Sequence, residues 1–292
     1  MIYDIRLRIA YEYQAPADVG RHILRIAPRE IPGVQRVLHA ALKLDPAPSE
    51  KIHRTDFFGN DCTEVAYGAA LSETRFEMSA RVERIAQDLG LDVSPDRSRF
   101  EAELAATPSI AADAPQNYLF SSVRVGTHRA VADWAAKVAR RAETALTTAE
   151  AISDALHERM TFDSTATMVD TPLEEAFHLK RGVCQDYTHI AICALRSLGI
   201  PAGYVSGFLR TLPPEGQERL EGADAMHAWV RAWCGKDMGW VEFDPTNAMR
   251  AGQDHVVIAY GRDYFDVAPV KGALRIAGGQ SNSQAVDVVA LD

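Results

Sequence analysis

The chain has 292 residues, 47% of them in the hydrophobic set, enough apolar material for one large domain or two ordinary ones. With 40 acidic against 31 basic side chains the formal net charge is −9, so the summed field repels polyanions, which argues against nucleic acid and anionic membrane as partners. Four cysteines, Cys62, Cys184, Cys193 and Cys234, are too sparse for a disulfide framework and read as reduced thiols, with the cytoplasm as the expected compartment.

The first residues, "MIYDIRLRIAYEY", carry Asp4, Arg6, Arg8 and Glu12 inside an apolar pattern, which a secretory or membrane-spanning segment does not tolerate. Ile5, Leu7, Ile9, Tyr11 and Tyr13 alternate with polar residues, the period of a strand with one wet face. The alternation returns at Leu38, Ala40, Leu42 and Leu44 and at Phe76, Met78, Ala80 and Val82, and "FFGNDC" from Phe57 to Cys62 has turn chemistry. Residues 1–110 are therefore expected to form an antiparallel, sandwich-like β domain. "TPSIAADAPQN", from Thr107 to Asn117, has no strong period and reads as a connection into a second unit, residues 111–292.

There the period becomes helical. Thr127 is placed to cap a helix with Val131, Trp134, Ala135 and Val138 on one stripe. Thr147 and Glu150 have capping-box spacing before Ile152, Ala155 and Leu156. Thr171-Pro172 opens a third helix, with Glu174 and Glu175 in its first turn and a stop before Gly182. Tyr187, Ile190, Ala191, Ala194, Leu195 and Leu198 predict a helix over 185–198, ended by Gly199 and Pro201. From about Val205 strands return, clearest in "HAWVRAW", "GWVEF" and "HVVIAY", so the second unit is α+β.

Cys184 falls at the start of the 185–198 helix, on the side of Tyr187, Ala191 and Leu195 that faces the sheet. The unpaired N–H groups of a helix start favour a thiolate and can bind a developing oxyanion. A lone cysteine is more often a buried structural thiol, so a nearby base decides the matter. "DAMHAWVRAWCGKDMGWVEFDPTN" supplies one: read as a hairpin, it puts His227, Trp229, Arg231 and Trp233 on one face of one strand, and Trp240, Glu242 and Asp244 on one face of the next. A turn centred between Gly235 and Lys236 sets His227 directly opposite Asp244, with Cβ atoms roughly 5 Å apart; a turn shifted by one residue sets them diagonally. Nucleophile, base and orienter are then together, the set that covalent acyl transfer requires.

"RGVCQDYTHIAICALRSLGIPAGYVSGF", "HAWV" and "GWVEFDPTN" resemble the core motifs of the transglutaminase-like superfamily, relatives of the papain-like cysteine proteases. The chain order, with a preceding β domain and the later "YGRDYFDVAPVKG", is similar to that of bacterial transglutaminase-like proteins. The resemblance implies a papain- or transglutaminase-like core, with a helix bearing the cysteine packed on an antiparallel sheet bearing histidine and aspartate. It implies Cys184 as nucleophile, His227 as base and Asp244 as orienter. The expected activity is acyl transfer on amide or peptide bonds through a thioester. Hydrolysis of a peptide or protein substrate is favoured because water needs no second site; glutamine transamidation with an amine acceptor uses the same triad. A catalytically inactive peptide-binding or scaffold protein is the alternative of another class, and an incomplete triad would be its signature.

Among other candidates, Cys184 and His189 lie about 140° apart around a helix and cannot converge with His178 on one ion. No calcium-loop pattern occurs, and no cofactor or metal is expected. Ser206 lacks the glycines of a nucleophile elbow. Asp186 reads as a first-turn residue that offsets the helix dipole. Gln185, Trp229, Trp240 and Tyr264 are candidates for the acyl pocket, each equally explained by packing. Arg262 and Asp263 fit either a salt bridge or a substrate rim, and Cys234 reads as a bystander thiol. Sequence leaves the oligomeric state open.

Overall fold

The computed structural model describes residues 1–87, 90–211, 222, 224–275 and 278–291. The N-terminal part contributes β1 (Ile2–Leu24), β2 (Gln35–Asp45), β3 (Glu50–Thr55), β4 (Asp61–Tyr67) and β5 (Leu71–Arg84). Helices follow: α1 (Arg97–Ala105), α2 (Arg129–Val138) and α3 (Ala145–Arg159), then the short β6 (Thr161–Phe162), α4 (Leu173–Leu179), β7 (Arg181–Gly182) and α5 (Cys184–Ser197). The chain ends in β8 (Ala202–Leu209), β9 (Met226–Trp233), β10 (Trp240–Asp244), β11 (Met249–Arg250), β12 (His255–Gly261), α6 (Tyr264–Val267), β13 (Val270–Arg275) and β14 (Gln280–Leu291). Among the described residues no helix is long and apolar enough to cross a membrane.

The long strand β1 belongs to two sheets. Its first half lies between β5 and β14, with β2 beyond β5 as an edge strand; its second half lies between β4 and β13, with β3 outside β4. The expected alternation holds in β1 and β5: Ile5, Leu7, Ile9, Phe76, Met78, Ala80 and Val82 are all buried. It fails in β2. A bulge between Val37 and His39 shifts the register, so Leu38 turns outward, 41% exposed, while Leu42 and Leu44 remain half-buried against the core. The strands from the far C-terminus were not part of the β domain expected over 1–110; β13 and β14 return across the molecule and pair with β1.

The second layer is a five-stranded antiparallel sheet in the order β11-β10-β9-β8-β12. Helix α5 packs on β9 and β8 and is enclosed on its other sides by α2, α3 and α4. Every residue from Gln185 to Leu195 is buried, so α5 is the central helix of the core rather than a one-sided surface helix. Two caps differ from expectation. Thr144, not Thr147, is the N-cap of α3, with Thr147 in the third position and exchanging bonds with it, and α2 starts after His128 without a side-chain cap.

The outer edge of β12 is closed by the N-terminal part. Gln35 donates from Nε2 to the Val257 carbonyl at 2.7 Å and accepts the Val257 N–H at 2.8 Å, and Asn60 does the same to Tyr260 at 2.7 and 2.8 Å. The Arg29 N–H adds a bond to the Val257 carbonyl at 3.0 Å. Both amides are fully buried and act as fragments of a sixth strand. Gln35→Ala or Asn60→Ala strips a donor and an acceptor of buried backbone and is expected to lower the unfolding free energy by about 2–4 kcal/mol in urea denaturation. A loss under about 0.5 kcal/mol in both would show that the amides do not hold the two parts together.

Candidate active site

Cys184 occupies the first turn of α5. Asp186, buried at the third helical position, accepts the Val183 N–H at 2.8 Å and the Thr167 hydroxyl at 2.6 Å, which ties down the turn that presents the thiol. A side chain at position 182 would run into Asp186, since a Cβ there would lie 2.4 Å from its Oδ2; this accounts for the glycine. Cys184 is half-buried, whereas Cys62, Cys193 and Cys234 are buried, and burial pushes the Cys62 and Cys193 thiols up to about 11 and that of Cys234 higher still. Cys184 is therefore the least buried of the four cysteines.

His227 and Asp244 meet, though not in the register expected. Trp240 pairs with Trp233 and Phe243 with Val230, so the turn is shifted by one residue and His227 reaches Asp244 diagonally. The contact is a 2.7 Å bond from His227 Nε2 to Asp244 Oδ2. With Nε2 engaged, Nδ1 is the ring nitrogen open to a second partner, and Cys184 lies near enough to favour the protonated ring. Burial opposes the charged imidazolium, but the bond to Asp244 and the neighbouring Cys184 outweigh it and lift His227 from its ordinary 6.5 to about 10.

A residue that sequence reasoning missed completes the arrangement. His255, at the start of β12, is buried, takes the Gly252 N–H on Nδ1 at 3.2 Å and presents Nε2 to Asp244 Oδ2 at 3.1 Å. Since Nδ1 accepts the Gly252 N–H, Nε2 is the ring nitrogen that donates to Asp244. Asn247 adds a bond from Nδ2 to Oδ2 at 2.7 Å, and the N–H groups of Thr246 and Asn247 reach Oδ1 at 3.0 and 3.3 Å. Burial pushes the Asp244 carboxyl up, yet the histidines and Asn247 prevail and hold it well below the usual carboxylate range. His255 lay in a recognised strand, "HVVIAY", but no local period shows that it touches a residue of another strand.

Residues 132–245 match the transglutaminase-like superfamily, and residues 3–83 match the bacterial transglutaminase-like N-terminal region. Uncharacterized proteins of Mycobacterium tuberculosis and Mycobacterium leprae are similar along most of their length. The first is 30% identical over 285 residues, 93% of this chain and 87% of its own; the second is 29% identical over 286 residues, 96% of each. The chain belongs to the transglutaminase-like superfamily. In fold it resembles a "Putative Cysteine Protease" from Cytophaga hutchinsonii, with a TM-score of 0.78 at 21% identity over 100% of this chain and 91% of that one. The likeness covers the α+β core and the N-terminal β region alike, and membership makes the chain one of a cysteine-dependent hydrolase and acyltransferase kind.

Within this transglutaminase-like site, the four candidates for an acyl pocket have other partners. Gln185 is buried and donates to the Val169 carbonyl at 2.9 Å. Trp229 has no exposed surface; its indole N–H donates to Glu242 Oε2 at 2.6 Å, and its ring lies 6.0 Å from that of His227 and 5.1 Å from that of His255. It is the floor on which both imidazoles rest. Gly207 makes room for it, since a Cβ there would stand 2.4 Å from the indole. Trp240 donates to the Asp113 carbonyl at 3.0 Å and packs edge-to-face with Tyr118. The Tyr264 N–H donates to His189 Nε2 at 3.2 Å, and its ring packs beside Tyr204.

His189 is buried and pushed down to about 4 by desolvation, hence neutral. Arg262 pairs with Asp266 at 2.8 Å, and Asp263 caps α6 through the Phe265 N–H, so both are structural. His227, Asp244 and His255 also form the group among the described residues whose donor atoms are close enough to hold a metal. All three meet on one carboxylate oxygen already bonded by Asn247, which satisfies the cluster without an ion.

In an NMR titration His227 is expected to stay protonated until about pH 10, and Cys184→Ala removes one of the raising partners and moves its midpoint down. Because the folded value lies above the ordinary 6.5, this group's contribution to stability is complete below about pH 6.5 and is lost as pH rises through about 10. A midpoint near 6.5 in both proteins would refute the contact with Cys184.

Proposed function

We infer that the protein is a thiol hydrolase of amide or peptide bonds, acting through a thioester at Cys184. The observation that carries this reading is the single line from the half-buried Cys184 through His227 to an Asp244 fixed by five donors. The Cys184 thiolate attacks the carbonyl carbon, and the electron pair of the C=O bond moves to oxygen. The N–H groups of Cys184 and Gln185 at the start of α5, unlike that of Asp186, which donates to the Val183 carbonyl at 2.9 Å, receive that oxyanion. Protonated His227 gives its Nδ1 proton to the leaving nitrogen, the C–N bond breaks, and a thioester and a free amine result. Water then attacks the thioester while Nδ1 takes its proton; the C–S bond breaks and the acid leaves. Asp244 keeps Nε2 protonated throughout, and His255 and Asn247 keep Asp244 ionised and in place.

Cys184→Ala is expected to lower kcat/KM on an amide substrate by about a thousandfold or more, and Asp244→Asn, which spoils the tautomer of His227, by about a hundredfold or more. Before a substrate is known, peptide-mapped iodoacetamide labelling at about pH 6 tests the same point, because an ordinary free thiol is barely ionised there. Fast labelling confined to Cys184 and lost in His227→Ala supports the pair; slow labelling in both proteins refutes it and favours the scaffold reading. With a glutamine peptide and excess primary amine, mass spectrometry is expected to find acid rather than amine adduct, and a dominant adduct would replace hydrolysis by transamidation. Activity is expected to survive chelator treatment, and chelator-sensitive turnover would turn the His227–Asp244–His255 cluster into a metal centre.

A further inference from the structure

On the face of the core sheet away from α5, where the N-terminal part meets it, lies a cavity of about 810 Å³, within the range of small-molecule sites. Arg29, Arg84 and Arg231 line it. Arg84 and Arg231 are 4% and 5% exposed, and a cation so deeply buried ordinarily rests on a carboxylate.

These do not. Arg84 donates to the Gly252 carbonyl at 3.0 Å and distantly to Gln35 Oε1 at 3.5 Å, and its Nε has no partner. Arg29 is held by the Phe58 carbonyl and Asn60 Oδ1, both at 2.8 Å. Arg231 stands among the rings of Tyr118, Trp240 and Tyr260, with its central carbon 4.6, 4.4 and 4.3 Å from their centres, and its Nε is also unpartnered. Glu242, opposite Arg231 on β10, already accepts from the Trp229 indole and, at 2.8 Å, from the Tyr260 hydroxyl. Ring faces stabilise the cation without a counter-charge, and apart from its contact with the Tyr118 side chain the N–H groups of the guanidinium are left to match the two oxygens of a carboxylate or phosphate. Phe57, 61% exposed, and Ile85, 40% exposed, line the same cavity and offer apolar surface for the body of a ligand.

We propose that this cavity binds a small organic anion, a carboxylate or phosphate carried on an apolar or aromatic body, with Arg231 and Arg84 taking the oxygens and Arg29 adding a third positive charge. Glu30, Asp56, Asp113 and Glu242 line the cavity as well, but Asp56 pairs with Arg25 at 2.9 Å, Glu30 accepts the Val37 N–H at 2.7 Å and Glu242 takes the two bonds above, so selectivity for a small anion rests on the arginine forks rather than on a net positive field. Arg231 lies four residues after His227 on the same face of β9, and Glu242 two before Asp244 on β10, so the site and the triad share two strands.

The test is calorimetric titration of the full-length protein with N-acetylphenylalanine, with its uncharged amide and with phenyl phosphate. Binding of the acid but not the amide assigns the site to carboxylates, and binding of phenyl phosphate alone assigns it to phosphates. Arg231→Lys keeps the charge but loses the fork, and binding is expected to weaken about tenfold. Ala112→Trp fills the cavity from its lining while leaving the three arginines, and is expected to abolish binding with an unchanged melting temperature. Should Arg231→Lys fail to fold, Ala112→Trp decides alone. Cys184→Ala should bind as the native protein does, which separates this site from the fate of the thioester chemistry. No binding of any probe, equal binding of acid and amide, or undiminished binding by Ala112→Trp would overturn the proposal.

Discussion

The site depends on one buried carboxylate. Asp244 has no exposed surface, and an ion in that position is tolerated only because its two oxygens accept five hydrogen bonds. Two come from the backbone of the turn that follows β10, one from a side chain in that turn, and two from imidazoles on β9 and β12. The carboxylate therefore fixes the end of β10 and the rotamers of both histidines at once. By holding His227 at Nε2 it turns Nδ1 toward the start of α5, so the geometry of the thiol–imidazole contact follows from the way a single charge is satisfied.

Around it the core is divided by the sheet. On one face α5 fills the middle of the helical layer, buried on every side, and an element so enclosed cannot shift its N-terminal turn without disturbing its neighbours. On the other face, Val205, Trp229 and Val257 form a separate small cluster beneath the N-terminal part. Trp229 connects the two regions: its ring supports the histidines, its N–H reaches Glu242, and Gly207 lets it cross β8. The His227–Asp244 pair and the arginine-lined cavity are thereby attached to the same strands through different side chains.

The N-terminal part is more than an appendage to this core. Gln35 and Asn60 close the edge of β12 in place of a neighbouring strand, and β13 and β14 carry the C-terminus back to β1. Both connections pair backbone that would otherwise be exposed at a sheet edge. They couple the folding of the two parts, since removing either would leave buried donors and acceptors without partners.

What the sequence determined by itself was local or carried by motifs. Helix α5 was legible from its 3.6-residue period, β1 and β5 from their alternation, and membership of the transglutaminase-like superfamily from the motifs around Cys184, His227 and Asp244. Tertiary structure decided what depended on contacts between distant segments. The hairpin register placed His227 diagonal to Asp244, because the turn conformation is set by packing at its ends as well as by its residues. The bulge in β2 reversed the face of Leu38, since one extra residue inverts the period of two on which the alternation rests. Gln185 and Trp229, plausible pocket residues from their positions, were committed to hydrogen bonds with Val169 and Glu242. His255 reached Asp244 because the loop after β11 brings together two segments that do not pair as strands, and no periodicity along the chain encodes a meeting of that kind.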